Sequence, residues 1–445
     1  MDGELRYPPI RIEVTEAALS PALQKDKEEL IEASQILEGL LHESGAVHED
    51  PELERTLAEL ISPGQMGEKA NGFYYRVYVL KDPDVNAMAV PSGSIYVNSG
   101  LLATLDNFEQ VRAVMAHEAH HVIDQDMVYE FKRTKDETGF LKVVNLLSAP
   151  AVAYAISESD SDTAKTIANV YTGASWAVSI AYRLSLYGYS RKHEIECDEF
   201  ALGIFEKHDY NIQEVKRLFG HFENEQKKYS RELFHTHLFA NHETPKQRMK
   251  RVEKFANKQK RADQQEIAEN GTAKVDRRYH EMTRDLRITN ARLNVRLGRV
   301  QHALDDLDRL EEMFPADARV MNALGEAYAR LAEDRRVLED ELSPSEWRKI
   351  RKEKEEPQRT DWIDKARSYF EHARTIDPLF PDPFRGEALL RESQKDNERA
   401  MGLYRQYLEQ APEAKDRRYV QAKIERLQKI MAKENEKKKR TKGDS

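Results

Sequence analysis

Residues 108–124 read FEQVRAVMAHEAHHVID, and their helical periodicity carries His117-Glu118-Ala119-His120-His121, an H-E-x-x-H pattern. Residues i and i+4 share one face of a helix. His117 and His121 can therefore hold a single Zn²⁺ at about 2.0–2.1 Å from each imidazole. Glu118, one step round the helix, reaches the metal-bound water. With 14 histidines and 79 acidic residues in 445, the pattern arises by chance at most about 0.08 times, so its context has to decide. A catalytic zinc keeps three protein ligands and one open position, and the third ligand must come from elsewhere.

Downstream, residues 190–201 read SRKHEIECDEFA, and Glu194 lies 73 residues after His121. From a second helix Glu194 can complete the ligand set. Asp198, at i+4 from it, can accept the other ring N–H of a ligand histidine and fix its tautomer. Cys197, the one cysteine, excludes an internal disulfide and a multi-cysteine zinc knot, and reads as a small buried residue. His120, His235 and His237 receive no role.

Upstream, Pro21–Glu43 reads as a helix, and a second begins at Pro51 with Asp50 as N-cap and ends at Pro63-Gly64. Gly72–Leu80 (GFYYRVYVL) and Ser94–Asn98 (SIYVN), the latter after the turn signal Pro91-Ser92-Gly93, read as strands. The amino-terminal half is thus α+β, mostly helical with a small sheet, and the remainder is all-α.

At these residues the chain resembles the M48 family of zinc metallopeptidases, whose third-ligand motif reads E-x-E-A-D. Asn86–Leu102 (NAMAVPSGSIYVNSGLL) and Asn241–Met249 (NHETPKQRM) are similar to further family motifs, in family order. The resemblance covers about residues 70–255. It implies a zincin-like domain over residues 1–256 with one Zn²⁺ per chain, held by His117, His121 and Glu194, and Glu118 as base. It also implies an edge strand at Ala87, Met88, Ala89 and Val90 that pairs with an extended protein or peptide substrate. His242 and Arg248 are implied as oxyanion stabilisers, with a zinc-latching role for His242 left open. Cys197 stands where the family usually has alanine, His120 where it often has glycine, and Glu243 where proline usually follows the histidine.

Beyond a polar linker over residues 257–276, a repeat covers residues 277–431. Ala366, Phe370, Ala373 and Pro378 recur 34 residues later as Ala400, Tyr404, Tyr407 and Pro412. Ala303, Leu307, Leu310 and Pro315 share the spacing 63 residues earlier, so one repeat carries an insertion, placed at about 334–360. A period of 34 belongs to the tetratricopeptide repeat, and it puts Leu324, Gly325 and Tyr328 at first-helix positions of the middle repeat. Lys415–Met431 reads as a capping helix and residues 432–445 as a basic, solvated tail. Zinc helix, third-ligand helix and repeats together look like the β-barrel assembly-enhancing protease group, which implies an endopeptidase acting on unfolded or extended segments in protein quality control. The rival reading is a repeat-based binding or chaperone module on a catalytically silent peptidase scaffold.

Lysine plus arginine (70) against aspartate plus glutamate (79) leaves a net charge of -9, which argues against a nucleic-acid binder. The acidic start Met1-Asp2-Gly3-Glu4 shows no signal peptide, which as written points to the cytoplasm, or to a periplasmic or membrane-peripheral site if a signal was trimmed. The uncharged stretches Val143–Ser157 and Thr166–Tyr182 are short of the roughly 20 residues a span needs. They read as buried helices beside the site, with peripheral membrane contact as the alternative.

Overall fold

The computed structural model describes residues 20–66, 75–129, 191–229, 244–263, 276–352 and 355–443. Val143–Ser157, Thr166–Tyr182, His242 and the first residues of the strand read at Gly72 lie outside them. The described residues form two compact units that divide between Arg287 and Ile288. Among them no helix is long and apolar enough to cross a membrane.

The first unit runs α1 (Pro21–Glu43), β1 (Val47–His48), α2 (Pro51–Leu60), α3 (Pro63–Met66), β2 (Arg76–Leu80), β3 (Ala87–Ala89), β4 (Ser94–Asn98), α4 (Ser99–Thr104), α5 (Phe108–Ile123), α6 (Arg191–Lys207), α7 (Ile212–Lys228), α8 (Pro245–Asp263) and the first half of α9 (Arg277–Arg296). Asp50 caps α2, accepting from the amides of Glu52 and Leu53 at 3.1 and 3.0 Å. The helix buries Leu53, Leu57 and Leu60, each contributing roughly 1.5–3 kcal/mol by removal from water. It stops at Leu60, and Pro63-Gly64, read as its end, instead open α3. Proline suits a first helical turn, because its fixed φ fits and its missing N–H has no partner there.

The sheet order is β1-β2-β4-β3, with β2 and β4 parallel and β3 antiparallel to β4. The β3–β4 turn depends on Gly93, whose φ of 85° favours glycine. Gly100 is equally constrained, since a Cβ there would lie 2.1 Å from the Pro83 carbonyl oxygen. Val77, Val79, Ile95 and Val97 of the sheet join Val111 and Met115 of α5 and Leu218 and Phe222 of α7 in one core. Asn257–Asp263, read as linker, continue α8, consistent with the helix propensity of its lysines and glutamine. Tyr279 and Leu286 of α9 are fully buried in this same core. The Tyr279 hydroxyl donates to the Leu102 carbonyl, which ties the start of α9 to the first unit.

The second unit continues with the rest of α9, then α10 (Val300–Met313), α11 (Ala318–Glu333), α12 (Val337–Glu341), α13 (Pro344–Ile350), α14 (Glu355–Ile376), α15 (Asp382–Ser393), α16 (Asn397–Gln410) and α17 (Arg417–Gly443). Each long helix from α10 to α17 packs on the next long helix in the chain. The nine small, leucine and aromatic residues at the repeated positions are 0–6 % exposed. The Phe370 ring lies against Gly325 and Gly386, where a Cβ would fall 2.7 and 2.5 Å from it. The 334–360 stretch contributes α12 and α13, and Glu341 caps α10 by accepting from the amides of Gln301 and His302 at 2.8 and 2.6 Å. Lys433–Lys442, read as a tail, extend α17, since lysine, glutamate and arginine favour helix.

Candidate metal centre

Asn107 starts α5 by accepting from the Gln110 amide at 2.9 Å. The Asn107 and Gln110 side chains both donate to Glu214 of α7, at 2.8 and 2.9 Å. These buried bonds fix where the helix begins, and so fix the depth of the next three turns.

Two turns on, His117 and His121 meet edge to face, ring centroids 5.0 Å apart and planes at 83°. Helix α6 lies against α5 and brings Glu194 to them. Glu194 Oε2 is 3.4 Å from His117 Nε2, and Oε1 is 3.5 Å from His121 Nε2. Ligand atoms held tetrahedrally at about 2.0–2.2 Å from zinc stand about 3.3–3.6 Å apart, so donor type and spacing both fit that ion. The three residues are only 2–3 % exposed, and burial at this level is tolerated by such groups only when paired or metal-bound.

Behind the histidines a second layer holds the rings. Asp198 Oδ1 is 3.0 Å from His117 Nδ1. Asp126 Oδ2 is 2.8 Å from His121 Nδ1, and its other oxygen is 3.2 Å from His193 Nδ1. No motif spacing in the sequence singles out Asp126. It reaches back because Gln125 adopts φ 55°, a left-handed turn directly after the helix.

Glu118 is also buried, and its Oε2 accepts from the Ala89 amide of the edge strand β3 at 3.2 Å. The bonds Val90 N to Ser94 O and Asn98 N to Asn86 O turn the even-numbered residues toward β4. Ala87 and Ala89 consequently direct their backbone groups away from it. Ala87, Met88, Ala89 and Val90 are nonetheless 2–6 % exposed, so the edge is covered in this conformation.

Arg248 is held by Asp198. Its Nε donates to Asp198 Oδ2 at 3.1 Å and its Nη2 to Oδ1, and its guanidinium lies 4.4 Å from the Phe219 ring centroid. Arg251 also donates to Asp198. The guanidinium lies 3.3 Å from His117 Nδ1, where it orients Asp198, and it lines one cavity with Glu118.

Burial pushes Glu118 up to about 7, with Glu194 adding to the rise against His117 and the Ala89 amide. Burial lowers His117, but Asp198 and Glu194 outweigh it and raise the group to about 9. Burial opposes ionisation of Asp198, yet Arg248 and His117 hold it well below the usual carboxylate range. The Cys197 thiol is pushed up by burial and by the surrounding carboxylates.

His117, His121 and Cys197 also offer ligand atoms within 4.8 Å of one another. Cys197 Sγ, however, sits 3.3 Å from His121 Nδ1 and 3.4 Å from His120 Nδ1. That nitrogen of His121 already faces Asp126, so the shared Nε2 side favours Glu194 over the thiol.

Residues 47–256 match the family model Peptidase family M48. The match spans just under half of the chain and implies a metallopeptidase, in a family that is typically zinc-dependent. No curated protein matches the sequence.

Proposed function

We propose that the chain is a zinc-dependent endopeptidase with one Zn²⁺ held by His117, His121 and Glu194. The observation that carries this reading is the approach of both Nε2 atoms to the Glu194 carboxylate at 3.4 and 3.5 Å. Bound there, zinc would supply Lewis acidity toward the scissile carbonyl and lower the pKa of the attacking water toward about 7. Glu118, poised near neutrality by burial, takes the proton from the attacking water and delivers it to the leaving amine. Asp198 and Asp126 hold the two histidines in the tautomer that presents Nε2.

The substrate is an extended or unfolded polypeptide segment, because Ala87 and Ala89 direct backbone groups outward from a sheet edge. Pairing there requires the strand to be uncovered and the Ala89 amide to leave Glu118. We read the second unit as a tetratricopeptide array that holds protein, supported by the 34-residue period and the buried repeat positions. Together these suit protein quality control. The test is cleavage of an unfolded protein, with zinc content measured alongside, by the wild type and by Glu118→Gln. Loss of cleavage with zinc retained supports the reading, and unchanged cleavage refutes it.

A further inference from the structure

The second unit carries a groove of 600 Å³ between α9, α11, α14, α15 and α17. Six of its lining residues are cationic (Arg292, Arg296, Arg330, Arg385, Lys423 and Arg426), and three are carboxylates, Glu326, Glu333 and Glu392. This excess runs against the net charge of -9 of the whole chain. Some of it is neutralised. Arg292 is held by Glu326 and Asp382 at 3.1 and 3.3 Å, and Arg385 by Asp416 at 2.8 Å.

Positive charge is left over at two places. Lys423 and Arg426 share one carboxylate, Glu392, which also accepts from the Tyr404 hydroxyl. Arg296 is exposed and has no ion-pair partner among the described residues. The lining also includes Leu389, a large apolar side chain left 38 % exposed.

We propose that this groove binds an acidic polypeptide segment carrying an apolar residue between its carboxylates. The surplus cations belong to separate helices, α9 and α17, and most of the others already have carboxylate partners, so they suit several spaced charges better than one small anion. Three carboxylates in the same lining disfavour a nucleic acid, which places a phosphate charge every few ångströms. Leu389 supplies the apolar contact that a purely ionic ligand would leave exposed. The proposal rests on the reading of the second unit as a protein-holding array and is independent of the chemistry at His117.

The test is fluorescence anisotropy on the full chain with a labelled ten-residue peptide in which aspartates flank two leucines. Compared with it are the same peptide with asparagines for aspartates, and an oligothymidylate of ten nucleotides. The acidic peptide should bind, and both comparison probes should bind at least about 10-fold more weakly. Arg296→Glu combined with Arg426→Glu should weaken the acidic peptide by at least about 10-fold, and Leu389→Ser should weaken it by severalfold. Arg336→Glu combined with Lys349→Glu makes the same change in net charge at side chains 84 and 71 % exposed and should leave binding unchanged. Cleavage of a short neutral peptide by all variants should stay at the wild-type level, which separates this proposal from the peptidase reading. Failure of the acidic peptide to bind, equal loss in both double variants, or equal binding of the oligothymidylate would overturn the proposal.

Discussion

Asp126 Oδ2 lies 2.8 Å from His121 Nδ1, while Asp198 Oδ1 lies 3.0 Å from His117 Nδ1, so each zinc-helix histidine has its own carboxylate behind it. The two carboxylates are not equivalent. Asp198 also accepts from Arg248 and Arg251, whereas Asp126 has His193 Nδ1 3.2 Å from its second oxygen.

That difference sets apart two substitutions. Asp126→Asn should weaken zinc affinity by about 10–100-fold with little loss of stability, the usual effect of removing an orienting partner. Asp198→Ala should do the same and also destabilise the fold by about 3–5 kcal/mol, because it leaves buried Arg248 without its anion. Zinc titration and chemical denaturation of both variants check this, and equal stability would remove Arg248 from the supporting layer.

Glu118→Gln should retain stoichiometric zinc and lose about 10²–10⁴ in kcat, since Glu118 handles protons and accepts from the Ala89 amide instead of ligating the metal. Zinc loss in this variant would contradict the role.

Glu341 gives a pH signature confined to the second unit. Burial raises its carboxyl from 4.5 to about 7 against the amides of Gln301 and His302. The folded state therefore keeps the proton to higher pH than the unfolded chain. The contribution to stability is full below about pH 4.5 and is lost as pH rises through about 7, by up to about 3 kcal/mol. Denaturation followed by Trp347 and Trp362 fluorescence should show Glu341→Gln losing less stability than wild type between pH 5 and 8. Parallel slopes would contradict it.

Gly325→Ala would put a methyl group 2.7 Å from the Phe370 ring and should cost about 1–3 kcal/mol by overpacking. Pairing it with Phe370→Leu should cost less than the sum of the two single changes. Thermal denaturation of the three variants decides the point, and simple additivity would argue against contact.

The elements around the metal centre were readable where the information is local. The Asp50 cap, the Pro21–Glu43 helix, the SIYVN strand and the H-E-x-x-H helix each depend on neighbours a few residues away. Glu194 was readable because a ligand on a second helix leaves a periodic trace with Asp198. Asp126 was not, because its return to His121 depends on one left-handed residue, Gln125. The family resemblance implies an oxyanion role for Arg248, and its contact with Asp198 comes from the packing of α8 beside α6, which no spacing encodes. The polar run ending at Asp276 marked a break in composition. The compact units instead divide eleven residues further on, because Tyr279 and Leu286 return α9 to the first core.

The central claim is the ligand set, and zinc K-edge X-ray absorption of the zinc-loaded full chain tests it most directly. Coordination by His117, His121 and Glu194 requires nitrogen and oxygen scatterers at about 2.0–2.2 Å, the imidazole pattern of two histidines, and an unchanged spectrum in Cys197→Ala. A sulfur scatterer at about 2.3 Å that disappears in Cys197→Ala would contradict the account and give the third position to the thiol.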